Sequence, residues 1–406
     1  MEEYKYIILG GGPAGLVFAN RLLELGETSF IVLEKEMEAG GLCRSKMVDG
    51  SELDIGGGHF LDAKNDIALK YIFRFMPKME WNKFRRISTI RLKNAEIDYP
   101  FESNIWQFPI EKQLSFLLSI LKAGCTESKK RPQTFIDWIN WKFGKQVAQE
   151  YMIPYNEKTW SIDLHRLGTY WLNKLPDFTP EEVLLSCLIK KPKGHLPAHV
   201  NFFYPKKFGY GEVWKRMAKK LGNKIRYKVA ANSFDVKNRI INRKYRGSVI
   251  VVTIPWKSLA FSPNISTDIH KAIDSLEYTS MRTTYYPERV NTKAHWTYIP
   301  EKSISYHRCL YRFNFRNGAR GYWTETNEKR SEMFLTSGQQ FWINTFAYPL
   351  NLVNKPRVVK KILAYFSKGS IFGLGRWGEW EHMNSDVVVI KALDLADKLV
   401  FKHKLQ

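Results

Sequence analysis

The chain has 406 residues, of which 44% are hydrophobic, enough for two or three domains of about 100–200 residues each. No run approaches the roughly 18 uninterrupted apolar residues of a membrane-spanning helix, and the longest candidate, residues 114–121, is interrupted by serines. Lysine and arginine total 63 against 40 acids, a formal charge of +23. That charge leaves three alternatives open: attraction of an anionic small substrate, contact with an anionic membrane surface, or solubility alone. No recognisable nucleic-acid-binding module is present, so nucleic acid is not an expected partner.

The four cysteines, Cys43, Cys125, Cys187 and Cys309, are widely spaced and form no CxxC motif. Such usage is typical of reduced thiols in a cytosolic protein. The first motif begins at the N-terminus, so we expect no signal peptide. The expected location is therefore cytoplasmic, with peripheral membrane contact through the basic surface left open.

The first 34 residues contain the strongest chemical signal. An apolar run leads into Gly10, Gly12 and Gly15 in the G-x-G-x-x-G spacing, followed by an amphipathic stretch and a second apolar run that ends at Glu34. This order of strand, glycine turn, helix, strand and acid is the dinucleotide-binding fingerprint. It predicts a pyrophosphate at the helix N-terminus and a ribose hydrogen-bonded to Glu34. Alone, the fingerprint allows NAD, NADP or FAD.

Two further glycine-rich segments follow the fingerprint. Gly40 and Gly41 form a second glycine turn, and Gly56, Gly57 and Gly58 precede His59. The position of this triplet just beyond the fingerprint predicts a loop that faces the cofactor.

The rest of the chain divides by pattern. Residues 62–188 have mostly helical apolar spacing with prolines between segments, which predicts an inserted helical domain. Residues 213–221 read as a helix, 224–229 and 248–254 as strands, and 276–350 as an antiparallel sheet. A last helix begins near Asp386. We therefore expect a discontinuous first domain (1–61, 205–260 and 365–406), a helical insertion (62–195) and a sheet domain (196–204 and 261–364).

With the second glycine turn, the Gly-Gly-Gly-His loop and the Gly375-Arg376 segment before the last helix, the chain resembles the FAD-dependent amine oxidase/protoporphyrinogen oxidase superfamily. Within it, the chain is most similar to the UDP-galactopyranose mutases. The resemblance implies an α/β fold: a Rossmann-like FAD-binding domain with a helical insertion and an antiparallel β-sheet substrate domain. It implies FAD as cofactor, with NAD(P)H as a candidate reductant.

Local motifs sharpen this resemblance. Residues 155–160 resemble the mutases' Tyr-Thr-x-Lys-x-Trp segment, 204–210 their Ile-Pro-x-x-Gly-Tyr turn, and 306–308 a Tyr-Thr-Arg motif whose arginine reaches the flavin. The closing segment departs from the mutases, because Trp380 and His382 stand where two substrate-contacting tyrosines are expected. Another substrate tyrosine is missing at residues 325–327.

The fingerprint and the resemblance together imply a set of site residues. The expected cofactor contacts are Gly10, Gly12, Ala14, Gly15, Glu34, Gly41, Leu42, Gly57, His59, Phe60, Val229 (through its backbone to adenine), Gly375, Arg376 and Asp386. The expected substrate contacts are Tyr155, Trp160, Lys174, Arg308, Trp380 and His382. Arg308, Arg376 and His59 are the catalytic candidates, the two arginines as cations near the flavin and the leaving diphosphate. No metal-ligand spacing stands out.

Three functions remain open on the sequence. The first is a mutase that acts with reduced flavin on a nucleotide sugar or related anionic substrate, without net redox change, in surface polysaccharide biosynthesis. The second is an oxidase or dehydrogenase of the protoporphyrinogen or amine oxidase type. The third is a non-catalytic flavin-binding accessory protein.

Overall fold

The computed structural model describes residues 1–126, 130–172, 177–194, 200–262, 265–333 and 339–404. The helices, in chain order, are α1 (Pro13–Glu24), α2 (Asp66–Phe73), α3 (Ile110–Leu121), α4 (Phe135–Val147), α5 (Ile153–Trp160), α6 (Pro180–Ile189), α7 (Glu212–Leu221), α8 (Thr267–Asp274), α9 (Lys355–Ser367), α10 (Gly375–Gly378) and α11 (Ser385–Lys404). Short 3₁₀ segments connect several of these elements, including Gly41–Cys43 and Glu102–Gln107, and a π-helical turn, Ala148–Met152, joins α4 to α5.

The strands carry the same chain-order numbering. They are β1 (Glu2–Leu9), β2 (Phe30–Leu33), β3 (Ser45–Val48), β4 (Ser51–Asp54), β5 (Leu61–Asp62), β6 (Trp81–Arg85), β7 (Ser88–Leu92), β8 (Ala95–Asp98), β9 (Asn201–Pro205), β10 (Ile225–Arg226), β11 (Ser233–Asp235), β12 (Ile240–Ile241), β13 (Tyr245–Val252), β14 (Ala260–Phe261), β15 (Tyr278–Tyr286), β16 (Trp296–Tyr298), β17 (Arg308–Leu310), β18 (Tyr322–Asn327), β19 (Phe341–Pro349) and β20 (Ile371–Gly373).

Two large sheets organise the described residues. The first has the order β10-β2-β1-β13-β12-β11-β14, with β20 also paired to β13. Its centre is parallel, since β1 runs parallel to both β2 and β13. The second sheet has the order β19-β15-β18-β17-β16-β7-β8, and it is antiparallel except where β16 pairs with β7. β5, β9 and β6 form a smaller sheet, and β3 and β4 a hairpin.

The first sheet is covered on both faces, as the side chains of strand β1 show. Residues 6–9 are fully buried, and their side chains alternate between two cores, as strand geometry requires. Tyr6 and Ile8 pack with α1, α7 and α11 on one face. Ile7 and Leu9 pack with α8 and α9 on the other. The continuous apolar run is thus the expected signature of a parallel strand buried on both sides.

A third core lies in the helical layer. Apolar side chains of α3, α4, α5 and α6 meet there, among them the fully buried Phe116 and Ile139. The described residues contain no helix with both the length and the hydrophobicity that crossing a bilayer requires.

Two expectations need correction. Residues 62–188 are not mostly helical from the start, because β6, β7 and β8 occupy 81–98, and β7 and β8 extend the second sheet. The strand expected over 224–229 covers only Ile225–Arg226. The helix at 213–221 and the last helix are found at Glu212–Leu221 and Ser385–Lys404. The division into domains stays a prediction.

Candidate functional site: a cavity crossing three layers

The glycines of the turn between β1 and α1 have different steric roles. Gly10 has φ +104°, which favours glycine, and a Cβ on Gly15 would lie 2.1 Å from the Gly10 carbonyl oxygen. Gly15 therefore permits the close approach of helix and strand. A Cβ on Gly12 would meet only the Gly41 Cα, at 3.8 Å. Gly12 instead leaves space in front of the N-terminus of α1, where an anion is stabilised by free N–H groups.

Glu34 lies at the end of β2 and is nearly fully buried. Its carboxylate accepts hydrogen bonds from the Gly11 N–H at 2.7 Å and the Glu36 N–H at 2.9 Å. These bonds hold the side chain between the glycine turn and the chain after β2. Glu34 is thereby fixed at the wall of the cavity described next.

A cavity of about 1000 Å³ runs from the glycine turn into the helical layer and the second sheet. This volume lies at the upper end of the range for ligand pockets. Most of the predicted site residues line it: Gly10, Gly12, Ala14, Glu34, Gly41, Leu42, His59, Phe60, Val229, Tyr155, Trp160, Arg308, Arg376 and His382.

Other predicted residues lie behind the wall. Gly15 supports the turn, and Gly57 and Gly375 have positive φ with a Cβ position 2.6 Å from Glu325 and from Ala14, respectively. Asp386 is buried in the first turn of α11, whose residues Ser385, Val387 and Val388 do line the cavity. Lys174 lies outside the described residues.

The expectation that Trp380 contacts substrate is wrong. Its side chain is 1% exposed, and its Nε1–H donates to the Glu277 carbonyl at 3.2 Å. The ring packs on Trp377 with 5.1 Å between ring centroids. Trp380 therefore belongs to the core behind the cavity, whereas His382, two residues later, reaches the wall.

Val229 also departs from its expected role in part. It follows β10 instead of lying in a strand, and its N–H donates to the Glu34 carbonyl at 2.9 Å. That N–H is engaged within the protein and is not available to an adenine ring. Val229 nevertheless lines the cavity beside Glu34.

Glu325 ties the Gly-Gly-Gly-His loop to Arg308. One carboxylate oxygen accepts from the Gly58 N–H at 2.8 Å, and the other accepts from the Arg308 Nε–H at 3.0 Å and from a second guanidinium N–H. Burial acts to lower the pKa of Arg308, but the Glu325 carboxylate and the hydroxyls of Tyr348, Tyr298 and Tyr155 together outweigh it, so the pKa is raised overall. Arg308 is thus a fixed cation at the cavity wall, and the same acid sets the path of the loop before His59.

Arg376 is held by backbone carbonyls. Its guanidinium donates to the Ala347 and Met383 carbonyl oxygens, both at 3.0 Å, and lies over the Tyr348 ring at 5.2 Å. Burial lowers the pKa of Arg376 from its ordinary value, yet an arginine remains charged in proteins. Arg376 is therefore a second cation of the cavity wall. Unlike Arg308, it is held by neutral groups and has no carboxylate partner among the described contacts.

Sequence reasoning missed Arg86. Its guanidinium lies over the rings of Tyr99 and Trp296, at 4.4 and 4.8 Å from their centroids, and donates to the Tyr298 hydroxyl at 2.9 Å. All four residues line the cavity. The aromatic wall continues through Trp296, whose ring stacks on Phe60 at 4.9 Å. The sequence analysis did not select Arg86 because residues 62–188 were expected to be mostly helical.

Glu102 is a second cavity residue that the sequence did not reveal. It is 4% exposed and lines the cavity, as the aromatic residues Phe143, Tyr151 and Trp171 of the helical layer also do. Burial raises the pKa of the Glu102 carboxyl to about 7. The cavity wall thus offers a carboxyl among aromatic side chains.

Comparison with known proteins identifies the family. Residues 13–285 match the family described as flavin containing amine oxidoreductase. The chain belongs to this family. It is a flavin-dependent enzyme, and FAD is its cofactor.

Relatives of this amine oxidoreductase family member include a UDP-galactopyranose mutase from Mycoplasma pneumoniae. The two sequences are 25% identical over 182 residues, which is 43% of this chain and 45% of the mycoplasma enzyme, less than two thirds of its length. A putrescine oxidase from Kocuria rosea is 46% identical over 55 residues, 14% of this chain and 11% of that enzyme.

Solved structures agree with this fold over nearly the whole chain. A reduced UDP-galactopyranose mutase superposes with a TM-score of 0.86 at 20% identity, covering 98% of this chain and 94% of the mutase. A putative protoporphyrinogen oxidase from Exiguobacterium sp. 255-15 gives a TM-score of 0.72 at 11% identity, with 99% of each chain covered. At these identities the likeness establishes the shared fold.

The residues of this family member fit FAD. The open space at Gly12, the buried Glu34 and the N-terminus of α11 form one continuous wall. The helix N-terminus favours negative charge, the charge that a reduced flavin carries. In the part of the chain that the structure describes, no three His, Cys, Asp or Glu side chains are grouped to hold a metal ion.

Proposed function

We propose that this flavoenzyme isomerises a nucleotide sugar, or a closely related anionic substrate, in surface polysaccharide biosynthesis. The observation that carries the proposal is the presence of Arg308 and Arg376 in the same cavity as the glycine turn. Two fixed cations on that wall suit a substrate with a diphosphate. The fold shared with a mutase structure supports the same assignment.

In this proposal the residues of the chain bind and orient the substrate. Arg308 and Arg376 hold the diphosphate and stabilise the negative charge that grows on it as it leaves the sugar. Tyr155 and Trp160 offer ring surface to the base, and Arg86 adds a cation near Phe60. When bound, FAD supplies a ring system that must be reduced for the isomerisation, with NAD(P)H as the candidate reductant.

The test is incubation of dithionite-reduced protein with UDP-sugars, followed by chromatography for ring-size isomers. Isomer formation only under reducing conditions is the expected result. Oxygen uptake with amines or protoporphyrinogen, without isomerisation, would instead assign the protein to the oxidases. The accessory-protein alternative requires inactivity in both assays.

Truncation of Arg308 tests the role of the cavity cations. We expect Arg308→Ala to lower kcat/KM for the nucleotide sugar roughly 100-fold, because one preorganised donor to the developing charge is lost. Arg289→Ala, at an exposed position, is the matched control and should leave kcat/KM unchanged. Equal rates for the two variants would remove Arg308 from the reaction.

A second candidate is oxidation of an amine, and Glu102 is the observation that favours it. A carboxyl among aromatic rings on the cavity wall suits a cationic amino group. Oxygen uptake with diamines that is lost in Glu102→Gln would support this alternative. Arg308, Arg376 and Arg86 on the wall argue against it, since they repel a cationic substrate.

A further inference from the structure

Helices α3 and α6 form the outer side of the helical layer. They pack against each other and against the same 3₁₀ segment, Glu102–Gln107. Their inner faces are buried, with Phe116 and Ile120 on α3 and Val183 on α6. The outer faces of two neighbouring helices therefore lie side by side on the surface.

These outer faces are apolar. The spacing of the exposed α3 residues, four, four and three positions apart, places them in one row on the helix. The leucine face, as we call it, consists of eight exposed side chains on the two helices: Ile110 (69% exposed), Leu114 (58%), Leu118 (42%), Leu121 (41%), Leu184 (40%), Leu185 (44%), Leu188 (72%) and Ile189 (41%).

The exposed leucines of the described chain are concentrated in the leucine face. In the described ranges, every exposed leucine of the protein belongs to it, and leucines elsewhere are buried or partly buried. Single exposed apolar residues are normal on a protein surface, but a group of eight on adjacent helices marks an interaction site.

Cations gather where both helices end. Four exposed lysines follow the two C-termini, whereas the exposed acids of α3 and α6 lie in the first turns. The lysines are Lys122, Lys190, Lys191 and Lys193, and the acids are Glu111 and Glu181. The remaining lysine of α3, Lys112, is paired with Glu150 at 2.6 Å. The leucine face thus combines aliphatic side chains with exposed lysines that follow the C-terminus of each of its two helices.

We propose that the leucine face docks on an anionic lipid surface. Its leucines and isoleucines enter the boundary between headgroups and acyl chains, and the lysines at the helix ends meet the lipid phosphates. The net charge of +23 draws the whole chain to the same surface. This binding is peripheral, and it does not depend on which reaction the cavity supports.

The composition of the face favours lipid over a second copy of the chain. Binding hot spots between proteins are enriched in tryptophan, tyrosine and arginine and poor in leucine, and the face contains none of the enriched types. A symmetric dimer would bring together two molecules that each carry a formal charge of +23. An anionic bilayer neutralises the same charges.

The test is flotation of the FAD-loaded full chain with phosphatidylcholine vesicles, with and without phosphatidylglycerol. We expect binding to the anionic vesicles that weakens as salt rises. Leu114→Gln with Leu188→Gln should reduce the partition coefficient by roughly tenfold or more, since each leucine buried in lipid contributes about a tenfold factor. Lys191→Gln with Lys193→Gln should reduce binding to anionic vesicles only.

The matched control is Ile67→Gln, an isoleucine 62% exposed on α2, which should bind like the wild type. An unchanged flavin spectrum in each variant establishes that it is folded. Equal vesicle binding by the Leu114/Leu188 variant and the wild type would overturn the proposal. So would no vesicle binding together with a sedimentation mass that falls from dimer to monomer in that variant, which would assign the face to a second copy.

Discussion

Gly12 and Gly15 belong to one sequence motif, but the structure gives them opposite surroundings. Gly15 is required for folding, because a Cβ there would collide with the Gly10 carbonyl oxygen at 2.1 Å. Gly12 is required for ligand access, because its missing side chain leaves open a place on the cavity wall. The motif pattern predicts the turn, but only the structure separates these two roles.

We predict that Gly12→Val folds but does not retain FAD. The added Cβ meets only Gly41 within the protein, and the branched side chain occupies the approach of the pyrophosphate. Absorbance of the purified protein near the flavin bands measures the occupancy. Gly369→Val, where a Cβ meets only ordinary contacts at 3.6 Å, is the control, and full flavin content in Gly12→Val would contradict the placement.

Arg376 allows a test of the cavity charge at the level of one residue. We predict that Arg376→Ala makes the midpoint potential of the bound flavin more negative, because a cation that favours the reduced, anionic form is lost. Arg376→Lys keeps the charge and should shift the potential less. Spectroscopic titration with a reference dye measures both variants, and an unchanged potential in Arg376→Ala would place this side chain away from the flavin.

At the scale of elements, β7 and β8 were the main failure of prediction. Their side chains alternate between more and less buried positions, and both strands belong to the second sheet. The helical patterns that follow them, separated by prolines, had suggested one continuous helical domain. The pairing that fixes β7 is with β16, about 200 residues later in the chain. Local sequence cannot reveal a partner so distant in the chain. For the same reason the sequence did not predict the contacts of Arg86 with Tyr99, Trp296 and Tyr298.

His295 fastens this long-range junction. Its Nδ1 accepts from the Ile87 backbone N–H at 3.0 Å, and the backbone N–H of His295 donates to the Ile87 carbonyl at 2.7 Å. Because Nδ1 is an acceptor and the ring is buried, the imidazole is neutral in the folded protein. Burial, aided by the charge of Arg86, lowers the pKa of His295 to about 4.

We predict that His295 makes the fold sensitive to acid. Its folded pKa lies below that of the unfolded chain, so its contribution to stability is present above pH 6.5 and is lost as the pH falls towards 4. At pH 5 the loss amounts to about 2 kcal/mol of the unfolding free energy.

Urea unfolding at pH 7 and pH 5 measures this effect. His295→Asn keeps an acceptor but does not titrate, so its stability should differ less between the two pH values than that of the wild type. His165→Asn, at an exposed histidine, is the control and should behave as the wild type does. The same pH dependence in His295→Asn and the wild type would contradict the assignment.

At the scale of the whole molecule, the cavity joins elements from every part of the chain. The glycine turn comes from the N-terminal residues, the aromatic wall from the helical layer and the second sheet, and Arg376 from the segment before the last helix. The whole chain, with its formal charge of +23, produces a positive long-range field. Such a field attracts anionic substrates from solution.

We therefore predict that kcat/KM for an anionic nucleotide sugar falls as ionic strength rises, by roughly tenfold or more between low and high salt. The value of kcat should change little, because the field acts on encounter and binding. Initial rates across a potassium chloride series test this, with flavin reduction by an uncharged reductant as the control. A salt-independent kcat/KM would contradict electrostatic steering.

The sequence by itself determined the cofactor anchor and the class of fold. The glycine turn, Glu34, the buried strands and the last helix depend on residues close together in the chain, so periodicity and spacing predict them. Arg86, Glu102 and the Glu325–Arg308 pair depended on tertiary structure, as did the removal of Trp380 from the substrate side. In each case the partner comes from a distant segment, and only the packing of the layers decides whether a side chain faces the cavity or the core.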